Sequence, residues 1–194
     1  EHLRSLLPNV QWQWIDTDHH FRKSIRWQKS LAFRFRLGPL VGRLNKQIEA
    51  ESSDKHYDLV WVDKGVYIHP NTMADLRAKA GCLVHFTPDT AFHANQSRYF
   101  RLTAASYDVL VTTKSFELEE YQKLVGNSRV ILTTQAYDTK LHKPSEANSD
   151  RKPVVSFIGL CEPDREACIQ ALLHCDVPVR LAGKGWGTFC RKNR

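Results

Sequence analysis

Cysteine is scarce in this chain and shows no pairing pattern. The five cysteines form no C-x-x-C pair, and Cys161, Cys168 and Cys175, spaced seven apart, lack the pattern of a zinc site. The sequence therefore reads as reduced, mostly buried thiols in a cytosolic protein. Long apolar runs are missing too: none approaches the roughly 20 residues that a membrane-spanning helix needs. Neither G-x-G-x-x-G nor a Walker loop occurs. There is no repeat of solenoid period and no low-complexity tract. The opening residues, EHLRSLL, carry no signal-peptide pattern and read as the last turns of a helix leading into a strand at Val10–Asp16. An α/β domain would place its first strand before that helix, so further chain is expected there.

Acid is missing from one segment. Residues 21–46 hold eight of the 28 basic residues and none of the 21 acidic ones, so the rest of the chain carries 20 basic against 21 acidic groups. The whole excess of +7 thus belongs to one helical stretch, which Gly38-Pro39 should break. Three readings stay open: a solvated basic face, contact with an anionic membrane surface or anionic acceptor, and nucleic acid. No recognised nucleic-acid motif supports the third, so no nucleic-acid partner is expected.

Strand and helix alternate along the chain. Asp58–Val62, Cys82–Phe86, Val109–Thr112 and Val130–Leu132 read as buried strands. Residues 21–50, Asn71–Ala80, Tyr99–Ala105 and Ser115–Val125 read as helices, with Asn71 or Thr72 capping the second and Ser115 the last. The strands are short and apolar with little alternation, which suits a parallel sheet covered by helices. Residues 143–153, KPSEANSDRKP, read as a linker. Beyond it, VVSFIGLCEPDREACIQALLHCDVPVRLAGKGWG (154–187) reads as strand, turn, helix, strand, the opening unit of a second parallel domain. The fold class expected is α/β: a Rossmann-like domain over 1–142, then the start of a second, incomplete one over 154–194.

In open parallel sheets ligands bind outside the carboxyl ends of the strands. Three exits carry chemistry here: Asp63-Lys64-Gly65, His85 to Asp89, and Thr112 to Ser115, the last read as ordinary helix capping. His85 and Asp89 are expected to face a crevice, where either can act as a base or hold a hydroxyl. In the second domain, Gly159 lets the backbone approach a ligand, the following helix N-terminus favours a phosphate, and Arg165 adds a charged bond. Gly183-Lys184-Gly185 forms another glycine-rich exit, with Trp186 read as a wall beside a nucleotide.

The segments YDLVWVDKG (57–65), CLVHFTPD (82–89), YDVLVTTK (107–114) and the 154–187 block together resemble the spore maturation protein CgeB family, a branch of the GT-B glycosyltransferases. The resemblance covers roughly residues 57–187, and the 154–187 block is its most specific part. It implies two Rossmann-like domains, an acceptor side first and a nucleotide-sugar side second, with a cleft between them. It implies His85 and Asp89 as catalytic residues. It implies Gly159 and Arg165 on the donor phosphates, while Lys64, Gly65, Gly183, Lys184 and Trp186 are expected on the substrates from their strand exits. It also implies no metal and no cofactor beyond the nucleotide-sugar donor, an unidentified acceptor, and a cytoplasmic place that is membrane-peripheral if residues 21–46 bind anionic lipid. The donor-side acids of such enzymes are not in this sequence, so the stretch given is expected to be inactive alone. The alternative is a non-catalytic binding module with a GT-B-like acceptor domain.

Overall fold

In a computed structural model, which describes residues 4, 6–93, 95–139, 141–142 and 153–193, the apolar runs pair side by side in chain order. Strands β1 (Tyr57–Asp63), β2 (Ala80–Thr87), β3 (Val109–Thr112) and β4 (Val130–Leu132) form one parallel sheet in the order β1-β2-β3-β4. Val62 lies beside His85, His85 beside Leu110, and Leu110 beside Val130. Side chains alternate along a strand, so Val60, Val62, Leu83, His85 and Leu110 share one face. The apolar members of that face build the main core with Leu44, Ile48, Met73, Leu76, Phe100 and Tyr121 from the helices. The other face carries Leu59, Trp61, Phe86 and Ile131, apolar but partly open to solvent.

The basic stretch is three helices, not one: α1 (Asp18–Lys23), α2 (Arg26–Phe35) and α3 (Pro39–Glu51). The break falls at Gly38-Pro39 as the sequence suggests. Gly38 takes φ 103°, a conformation side chains avoid, and Pro39 opens the next helix. Helix α3 buries Leu40, Val41, Leu44 and Ile48 on one stripe, with Asn45 among them. Helices α4 (Pro70–Lys79), α5 (Arg98–Thr103) and α6 (Leu118–Val125) follow β1, β2 and β3, the last after a 3-10 turn at Ser115–Glu117. The N-cap of α4 is His69, because Pro70 fills the first helical position, so neither Asn71 nor Thr72 caps it.

The strand expected at Val10–Asp16 does not form. Residues 11–16 have no ladder partner. Their segment is fastened by side chains instead: Gln13 donates to Glu51 O at 2.8 Å and accepts from Lys55 Nζ and Tyr57 Oη at 3.1 and 3.0 Å.

The chain divides into two compact units, residues 1–136 and 137–194. Apart from Pro153, the expected linker at 143–153 lies outside the described residues. In the second unit, β5 (Val155–Ile158) and β6 (Val179–Ala182) pair in parallel across α7 (Pro163–His174), and α8 (Trp186–Lys192) follows. Ile169, Trp186 and Phe189 are its buried core. The five cysteines are free thiols but not mostly buried. Cys168, Cys175 and Cys190 are exposed, since this small unit buries few positions of α7 and α8. Among the described residues no helix is long and apolar enough to cross a membrane.

Candidate functional site

The exits of β1 and β2 meet at one end of the first sheet. After Asp63 the chain turns through Lys64 and Gly65, both left-handed at φ 62° and 60°. Glycine accepts that conformation freely, whereas lysine pays roughly 1–2 kcal/mol for it. Lys64 is held there by its N–H to Phe86 O at 2.8 Å and by the His85 ring, whose Nε2–H donates to Lys64 O at 3.2 Å. The Lys64 ammonium then reaches Asp89 Oδ2 at 2.6 Å, with both side chains half-exposed. The bond to Asp89 raises the Lys64 amine above its usual value. Partial desolvation raises the Asp63 carboxyl; Lys64 opposes this, while Asp89 and Asp18 add to it. The exit thus holds a left-handed lysine bonded to Asp89, next to Asp63, and a carboxyl raised by desolvation is suited to accept a proton.

The loops that carry these groups are pinned by buried polar side chains. Asn45 donates to Tyr67 O at 2.9 Å and accepts from His69 N at 2.7 Å, fixing the chain after Gly65 to α3. Glu117 is fully buried, and its two carboxylate oxygens accept from the N–H groups of Ala91 and Phe92, each at 2.9 Å. That bidentate grip positions the segment just past Asp89. Thr113 donates to Pro88 O at 3.1 Å from the β3 exit.

His85 does not face a crevice. It is 1% exposed and stacks on Phe100 with ring centroids 4.5 Å apart, beside Tyr107 at 5.2 Å. The reason is the strand period: His85 lies on the helix-covered face with Leu83, and Thr87 rather than His85 ends the strand. Burial pulls its pKa down to about 4, opposed by the bond to Lys64 O. The ring is therefore neutral, with Nδ1 unpartnered, and acts on the site through the Lys64 backbone.

A second feature lies between α2, the turn after it and the loop after β2. Ser30, Phe33, Arg34, Arg36, His93 and Gln96 line an open cavity of about 550 Å³. Arg36 is 7% exposed and left-handed at φ 57°. Its guanidinium donates to Phe33 O, to Gln96 O at 3.4 Å and to Tyr67 Oη at 3.3 Å, and it lies over the Phe33 and Tyr67 rings at 5.3 and 5.2 Å.

In the second unit the two glycine-bearing exits are locked together. Gly159 N donates to Ala182 O at 2.9 Å and Cys161 N to Lys184 O at 3.0 Å. Trp186 is 3% exposed and donates its indole N–H to Gly159 O at 2.9 Å. It is a core residue rather than a wall beside a nucleotide, because α8 begins at it and turns it onto Phe157 and Phe189. Arg165 pairs with Glu162 Oε2 at 3.1 Å and bonds Leu160 O at 3.2 Å. Acids surround the start of α7, with Glu162 at the cap and Asp164 and Glu166 in the first turn. Cys161 donates to Glu166 at 2.9 Å, and desolvation, then Glu166, pushes its thiol up to about 11.

Of the expected site residues, Lys64, Gly65 and Asp89 come together, with His85 behind them. Gly159, Arg165, Gly183, Lys184 and Trp186 come together in the second unit. The sequence did not single out Arg36 and Arg34, and it pointed to Asp63 only as part of its strand exit. Asp63 stood in the same strand exit, and Arg36 stood two residues before the Gly38-Pro39 break. Among the described residues, no group of three or more His, Cys, Asp or Glu side chains is arranged to hold a metal ion. The sequence matches no protein-family model and no curated protein.

Proposed function

We propose that the chain belongs to a nucleotide-sugar-dependent glycosyltransferase of the GT-B type, with the first unit on the acceptor side. The observation that carries this reading is the Asp63, Lys64 and Asp89 cluster outside the carboxyl ends of a parallel sheet, followed in the chain by a second parallel β-α-β unit. In the proposed reaction the acceptor oxygen bonds the sugar's anomeric carbon. The bond from that carbon to the diphosphate breaks, the nucleoside diphosphate leaves with its electron pair, and Asp63 takes the hydroxyl proton. Lys64 holds the Asp89 carboxylate in place, and His85 holds Lys64. On the donor side Arg165 would exchange Glu162 for a phosphate oxygen. Their ion pair is half-exposed, so the exchange costs no more than about 1 kcal/mol. Calorimetric titration of the full-length protein with UDP- and GDP-sugars tests the reading: saturable binding weakened by Arg165→Ala supports it, and no binding to any nucleotide sugar overturns it.

A second reading has its own observation. Trp27, Phe33 and Phe35 are each more than half exposed on or beside α2, among Arg22, Lys23, Arg26 and Arg34. Exposed aromatics mixed with basic residues suit the surface of an anionic membrane. Flotation with vesicles of anionic lipid should carry the protein at low salt and release it at high salt. Absence of flotation, or flotation that salt and Trp27→Ala leave unchanged, returns the segment to a solvated face.

A further inference from the structure

We infer that the cavity beside Arg36 is a binding site for a phosphate group. The starting point is a buried cation without a counter-ion. Arg36 is 7% exposed, and no carboxylate lies within ion-pair distance of it among the described residues. Taking such a charge out of water costs several kcal/mol in effect. The Phe33 and Tyr67 rings return about 0.5–2 kcal/mol each at best. The three bonds described above use Nε and Nη1. Nη2, with two further N–H donors, makes no hydrogen bond and is not among the buried unpartnered atoms, so it is the accessible end of the fork.

What surrounds that end fits an anion. Arg34 supplies a second guanidinium, and Ser30 and Gln96 supply a hydroxyl and an amide, all on the cavity wall. Glu117 lies 4.0 Å from His93 Nε2, but its oxygens are already bound by the Ala91 and Phe92 N–H groups, and Asp18 is felt at Tyr67 without pairing with Arg36. Two guanidinium groups on one wall favour the near-double charge and three free oxygens of a phosphate ester over the single charge of a carboxylate. The cavity, at about 550 Å³, has room for the group the phosphate is attached to, with Phe33 as an apolar side. The inference does not rest on sugar transfer; a chain that binds no nucleotide sugar can still hold a phosphate here.

Titrating the whole chain with inorganic phosphate and with glycerol phosphate, at constant ionic strength, tests the site. Saturable heat and a raised thermal midpoint are expected, with chloride inert. Arg34 is exposed and outside the core, so Arg34→Ala should fold normally and weaken binding about tenfold, the loss of one charge-assisted bond. Arg36→Met should abolish binding; if that variant does not fold, Gln96→Ala joins Arg34→Ala as the second reporter. Vesicles containing phosphatidate separate the two sources of a phosphate. Competition between vesicles and glycerol phosphate assigns a lipid headgroup, and binding of the soluble ester alone assigns a soluble ligand. Absence of saturable phosphate binding, or binding that Arg34→Ala leaves unchanged, overturns the inference.

Discussion

At the exit of β1 the chain turns through Lys64 and Gly65 and presents charge. At the exit of β5 it turns through Gly159 and presents backbone to backbone. Both exits follow a parallel strand, and both carry a glycine where a ligand could come close. The difference lies in what fills the space. In the first unit core side chains fill the space beside Gly65, where a Cβ would meet Tyr107 Oη and Val62 Cγ1 at 3.0 Å each, while the charged groups Asp63, Lys64 and Asp89 stay half-exposed and free to re-pair. In the second, the Gly183 position is filled by the main chain: a Cβ there would lie 2.0 Å from Gly159 O, and Gly185's would meet Cys161 Cβ at 2.6 Å. A glycine at a strand exit therefore marks close approach, and at both exits the partner is the protein itself.

The largest expected effect breaks the second exit. Gly183 has φ 129°, so Gly183→Ala meets both a strained conformation and a main-chain oxygen. It should cost about 4 kcal/mol or more, enough to unfold so small a unit. Gly187 is the control: it lies in α8 with nothing within 4 Å of an added Cβ, and Gly187→Ala should gain about 0.5–1 kcal/mol. Hydrogen exchange of β5 and β6 reads both. A Gly183→Ala chain with protected β5 amides would show that this exit has room after all.

Next in size is the acid response of the first unit. The folded pKa of His85 lies at about 4, below its ordinary 6.5. The neutral ring is the folded form, so its stabilising contribution is complete above pH 6.5 and is lost as pH falls toward 4. The loss amounts to about 3 kcal/mol over that window. Urea unfolding at pH 7.5 and 4.5 measures it, and His85→Leu should flatten that limb. An unchanged limb would place the acid response on another group and free His85 from its supporting role.

How much of this was legible in the sequence depended on which period carried the information. The four strands of the sheet stood out as apolar runs, and the Gly38-Pro39 break by its chemistry. The side that a strand residue faces did not stand out, because buried parallel strands hardly alternate. His85 therefore read as a crevice residue when the Val62–His85–Leu110 register turns it inward. Trp186 misled for a related reason. A tryptophan after two glycines looks like part of an open loop, yet Gly185 at φ 100° starts a helix that folds it into the core. Arg36 was hidden in a run of eight basic residues. Only the fold separates the one that is buried from those that are not.

The smallest expected effect sharpens the comparison most. The Lys64–Asp89 pair is half-exposed, so Asp89→Asn should change stability by less than about 1 kcal/mol. Lys64→Gly should be neutral or gain up to about 1 kcal/mol, since glycine takes φ 62° without strain. A residue kept in a costly conformation while contributing little to stability is retained for what its side chain does. If Asp89→Asn or Lys64→Gly instead costs 2 kcal/mol or more in urea unfolding, the pair is a structural tie like Asn45 and Glu117. The first exit would then be held by the protein's own contacts, as Gly159 and Gly183 are held in the second.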